Sequence, residues 1–131
     1  MSHSARKLMK HINFQFLCLA FVVAPFAAQA QQFAEGASTP NEAAVKKHLD
    51  DKVFSVKLAD GTSWRLEYKA SGYYFVNTST GFSSSGQWKA EDGRLCGQLK
   101  GRDRSCNDVR FHQDQLHLKR DSGEIIQLIA K

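Results

Sequence analysis

The chain has 131 residues, 18 basic and 13 acidic, with a formal charge of +5 when its histidines are neutral. Residues 1–30 carry three of the basic residues and no acidic one, so residues 31–131 keep a charge of only +2, which removes most of the case for a nucleic-acid-binding protein. One domain fits this length, and a catalytic α/β domain of ordinary size is hard to fit into residues 31–131.

Arg6, Lys7 and Lys10 make a positive start. An uncharged run from Ile12 to Ala28 follows, and Ala28-Gln29-Ala30 places small residues where a signal peptidase reads them. The strongly apolar part, Phe16 to Ala24, is too short to span a bilayer comfortably. The order predicts a secretory signal peptide over 1–30, cleaved after Ala30. Cys18 follows Leu17 within the apolar run, so it lacks the setting of a lipid-modified cysteine. The expected product is periplasmic or secreted and does not span a membrane after cleavage.

Residues 31–38 are small, polar and patternless, and read as a flexible lead-in. Thr39-Pro40-Asn41-Glu42 has the order of a capping box, with Thr39 as N-cap and Pro40 in the first helical position. A short helix over about 40–49 follows, its apolar side formed by Ala44, Val45, His48 and Leu49. Asp50-Asp51 stops it, because carboxylates are unfavourable at the negative end of a helix dipole.

After Lys52 the apolar period changes to two. Trp64, Leu66 and Tyr68 alternate with Arg65 and Glu67, which is the pattern of a half-buried strand. Turn signals at Asp60-Gly61, Ser71-Gly72, Thr80-Gly81, Asp92-Gly93, Gly101, Gln113-Asp114 and Ser122-Gly123 divide residues 53–130 into eight short strands. No helix-length segment separates them, so parallel crossovers have no room. The expected fold is mostly β, an eight-stranded antiparallel up-and-down meander with one short N-terminal helix. A small lipocalin-like barrel would remove the two exposed edges, and a strongly curved open sheet or sandwich is the alternative.

Strand parity predicts a core of Phe54, Val56 and Leu58, then Trp64, Leu66, Tyr68, Phe82 and Trp88. It continues through Leu95, Leu99, Val109 and Phe111 to Leu116, Leu118, Ile126 and Leu128. Tyr73 to Val76 is apolar on both faces, so one face is covered by the helix or left exposed. Residues 31–131 retain two cysteines, and in an oxidising compartment these form a disulfide. Cys96 and Cys106 each lie five residues from Gly101, so a hairpin centred there sets them opposite one another. Their parity is opposite to that of Leu95, Leu99, Val109 and Phe111, which predicts a cross-strand clip on the outer face.

Gly86-x-Trp88, Asp92-Gly93-Arg94-Leu95-Cys96, Cys106-x-x-Val109 and the Gly123 turn together resemble small secreted bacterial proteins of unknown function. The overall plan of signal peptide, eight strands and one disulfide is similar to the periplasmic metalloprotease inhibitors. That resemblance implies an extended N-terminal arm entering an active site, and the residues before Thr39 carry no matching motif.

No zinc-protease, nucleophile-elbow or phosphate-loop motif occurs, and no cofactor is implied. His112 and His117, five apart, are expected on opposite faces and not as a metal pair. Asp50-Asp51 and Glu91-Asp92 sit at a helix end and in a turn, where carboxylates are usually solvated. Arg94, Lys100, Arg102, Arg104 and Arg110 cluster on the disulfide hairpin, either as an anion or acidic-partner patch or as a solvated surface with its own ion pairs. Trp64, Tyr68, Phe82 and Trp88 either fill the interior or line a cup for one apolar molecule. The functional expectation is an exported, non-enzymatic binding module for a protein partner or a small apolar ligand. A hydrolase or other enzyme with an unrecognised site is the alternative.

Overall fold

The computed structural model describes residues 31–131, together with Ala20 and Val22. The signal-peptide expectation over 1–30 therefore lies outside the described residues. One helix, α1 (Glu42–Leu49), precedes eight strands: β1 (Lys52–Lys57), β2 (Ser63–Tyr68), β3 (Tyr73–Thr78), β4 (Ser83–Glu91), β5 (Arg94–Leu99), β6 (Ser105–His112), β7 (Gln115–Lys119) and β8 (Ile125–Ala130). Each strand pairs antiparallel with its neighbour in sequence, and β8 returns to β1 to close a barrel. Closure, and not the open sheet or sandwich, is how this meander disposes of its two edges. The seam is narrow: Phe54 is opposite Ala130, Ser55 is opposite Ile129, and Lys131 N–H donates to the Val53 carbonyl at 3.0 Å.

The period-2 pattern puts Phe54, Val56, Leu66, Val109, Leu116 and Leu128 inside, all buried. On β3 the alternation splits the apolar run, with Val76 buried while Tyr73 and Phe75 are 54% and 39% exposed. Phe82 departs from the expected core. Its parity is inward, but the ladder of β4 begins one residue later at Ser83, so the ring stands on the rim and is 38% exposed. Gly86 lets two strands come together, since a Cβ there would overlap the Gln98 carbonyl of β5.

Helix α1 packs against the barrel end that carries the β2–β3, β4–β5 and β6–β7 turns. Val45 and Leu49 point into it and are fully buried, each contributing about 1.5–3 kcal/mol by leaving water. The cap differs from the expected one. Asn41, not Thr39, is the N-cap, its side chain accepting from Ala44 N–H at 2.8 Å. Pro40 is held outside the helix because its carbonyl accepts from Gly93 N–H at 2.7 Å, while Glu42 N–H donates to Asp92 Oδ1 at 2.7 Å. Both bonds fasten the helix start to the β4–β5 turn. The helix ends as expected at the paired aspartates: Asp50 caps it with an ion pair to Lys46 at 2.9 Å, and Asp51 takes a left-handed φ of 55°.

Where a flexible lead-in is expected, residues 31–38 run along the barrel wall. Gln31 N–H donates to the Gly123 carbonyl at 3.1 Å and Gln31 Oε1 accepts from Ile125 N–H at 2.9 Å. Ser38 exchanges backbone hydrogen bonds with Phe111, at 2.8 and 2.9 Å, and Arg110 lies over the Phe33 ring at 5.1 Å. Backbone groups carry most of this attachment, and side-chain patterning does not report them.

Candidate functional site

With α1 against one end, the barrel is open at the other, where the β1–β2, β3–β4, β5–β6 and β7–β8 turns lie. Behind that mouth is a cavity of about 540 Å³, within the size range of small-molecule sites. Trp64, Tyr68, Phe82 and Trp88 all line it, so the interior is not filled by these side chains alone. Leu66, Val76, Leu95, Leu99, Leu118 and Ile126 add to the apolar wall.

The space has a local cause. Gly97 of β5 and Ser105 of β6 face each other in register and are both at inward positions. They supply little side-chain volume where other strands supply Leu, Val or Trp. Gly97 also makes room for Tyr74, whose hydroxyl lies 2.8 Å from where a Cβ at Gly97 would stand. The Gly97 parity was the signal for a cavity in the sequence, and a reading centred on large apolar residues passes over it.

At the floor, Trp88 donates its indole N–H to the Lys69 carbonyl at 2.8 Å and meets Tyr68 edge-on at 5.3 Å. Tyr68 stacks on Tyr74 at 5.8 Å with the rings 7° apart. Burial pushes the Tyr68 phenol well above its usual pKa. It raises that of Tyr74 as well, against the smaller opposing pull of the Arg102 charge. Both phenols therefore stay protonated at ordinary pH and offer O–H groups to an occupant.

The rim is polar. Arg102 lies over the Phe82 ring at 4.9 Å, and Arg120 over the Trp64 ring at 4.9 Å while paired with Glu124 at 2.7 Å. Asn107 donates to Asp121 Oδ1 at 3.0 Å and to the Lys119 carbonyl at 3.0 Å. Thr78, Thr80 and Ser122 add to the polar lining, and walls that combine apolar and polar groups suit an amphipathic small molecule.

The five basic residues of the β5–β6 region do not gather into one patch. Arg94 and Arg104 both hold Glu91, at 2.9 and 3.2 Å, and keep its carboxyl below the usual carboxylate range. Arg110 bends back to the Val109 and Gly93 carbonyls and covers Phe33. Arg102 belongs to the cavity mouth, and Lys100 is exposed on the hairpin turn. Cys96 and Cys106 are directly paired across β5 and β6 and form the disulfide. They share the outer face with Glu91, whose carboxylate lies within 4.8 Å of both sulfurs. The bonded sulfurs offer no thiolate for a metal.

His112 and His117 correct the expectation of opposite faces. Gln113 and Asp114 form a two-residue turn with φ of 51° and 62°, so His112 pairs with Gln115 and the face count restarts there. The two rings share the outer face, 6.1 Å apart between centroids. His48 lies at the helix–barrel junction, 5.6 Å from the Phe54 ring and 5.0 Å from Phe111. Neither this histidine nor the outer pair is among the residues lining the cavity. Comparison of the chain with family models, with curated proteins and with solved structures finds no match to any of them.

Proposed function

We propose that this protein is an exported, non-enzymatic binding module that holds a small, largely apolar molecule inside its barrel. The observation that carries this reading is the one-ended cavity of about 540 Å³ with Trp64, Tyr68, Phe82 and Trp88 on its walls. A preformed pocket of that size loses little order when filled, so a smaller part of the contact energy is offset by ordering. The disulfide agrees with an oxidising compartment, and no helix among the described residues is long and apolar enough to cross a membrane. Residues 31–38 lie against the barrel instead of projecting from it, which favours a small ligand over an inhibitory arm.

The test is titration of the oxidised protein with N-phenyl-1-naphthylamine, an uncharged apolar fluorophore. Saturable enhancement is expected for the parent chain and for Phe75→Ser on the outer face. It is expected to be lost in Leu118→Trp, which fills the cavity from β7. Absence of saturable binding, or loss in F75S with retention in a folded L118W, overturns the reading.

A further inference from the structure

The polar groups at the mouth are not equivalent, and their pairing narrows the class of ligand. Arg120 is neutralised by Glu124 at 2.7 Å. Asp121, the carboxylate beside it, is engaged by the Asn107 amide at 3.0 Å. Arg102 is the one cation lining the mouth that has no carboxylate within ion-pair distance among the described residues. Its guanidinium lies over the Phe82 ring at 4.9 Å, a contact that does not consume its N–H donors. Arg102 and Tyr74 both line the cavity, Arg102 at its mouth and Tyr74 deeper, stacked on Tyr68.

We propose that the cup selects amphiphiles with a single anionic head, seated on the Arg102 guanidinium while the apolar body lies between Trp64, Leu118 and Ile126. This rests on the binding reading given above and adds the chemistry of the head group. Arg102 suits a carboxylate because its planar fork can meet two oxygens at once. Lys100, two residues away, lies outside the cavity lining, so the preference belongs to one side chain and not to general positive charge.

The experiment compares decanoate with 1-decanol, both below aggregating concentrations, by intrinsic tryptophan fluorescence of the oxidised chain at pH 7.5. Decanoate should bind about tenfold tighter, the usual effect of one charge-assisted contact at a partly exposed site. Arg102→Met keeps an apolar stem on Phe82 and should abolish that difference, decanoate affinity falling to that of 1-decanol. Arg102→Lys should restore part of the preference, and Lys100→Met should leave it intact. Equal affinities for the two compounds in the parent, or a decanoate preference that survives R102M, overturns the head-group assignment while leaving the cup as a binding site. Failure of both compounds to bind overturns the cup and the assignment together.

Discussion

His48 sits where helix, barrel and solvent meet, stacked on Phe54 with its Nε2 buried and without a partner among the described residues. Burial lowers its pKa below the usual 6.5, and the Lys52 charge lowers it further. The unfolded chain is then the better proton binder, so the stability linked to this residue is complete above about pH 6.5 and is lost as pH falls through the lower folded-state value. His48→Phe keeps both ring contacts and removes the titrating nitrogen. Urea melts at pH 7 and pH 5 should show a smaller loss of stability in H48F than in the parent, and equal losses would refute this account. The position of His48 on the apolar side of the helix was legible in the sequence. Its two ring partners were not, because Phe54 and Phe111 come from strands far apart in the chain. Phe82 teaches the complementary lesson: parity fixes the direction of a side chain only where the ladder continues, and the ladder of β4 starts one residue too late to bury it.

At the scale of elements, the β5–β6 hairpin shows what sequence symmetry can and cannot determine. Gly101, with a φ of 78°, centres the turn, and equal spacing on either side brings Cys96 opposite Cys106, as their positions alone indicated. Closing a loop with a sequence separation of 10 is worth about 2–3 kcal/mol through its restriction of the unfolded chain. The double variant Cys96→Ala, Cys106→Ala should lose about that much in urea denaturation, and a midpoint matching the oxidised parent would contradict it. The fate of the hairpin's basic residues was less legible. Nothing in their spacing separates Arg94 and Arg104, drawn to Glu91, from Arg102, which the same turn sends to the cavity mouth. The His112–His117 turn fails in a similar way. Straight-strand parity cannot be carried across two residues in the left-handed region.

For the whole molecule, eight strands at a regular spacing announced a meander, and the cost of two bare edges announced its closure. The seam register was beyond sequence reading, since β1 and β8 meet only after everything between them has curled. Every β1–β8 register pair and the Lys131 hydrogen bond depend on residues 129–131. Deleting those three residues should lower the thermal midpoint by several degrees and weaken binding of the naphthylamine probe, because the cup walls lose their ring closure. An unchanged midpoint with undiminished binding would mean that the seam contributes nothing to either property.

The two tryptophans of the chain occupy opposite ends of the same cavity, Trp64 under Arg120 near the entrance and Trp88 anchored to Lys69 beneath it. Together they form a built-in depth gauge. With Trp64 or Trp88 replaced by Phe, each single-indole protein reports from one level only. A chain-length series of probes would then show how far a tail penetrates before it touches bottom.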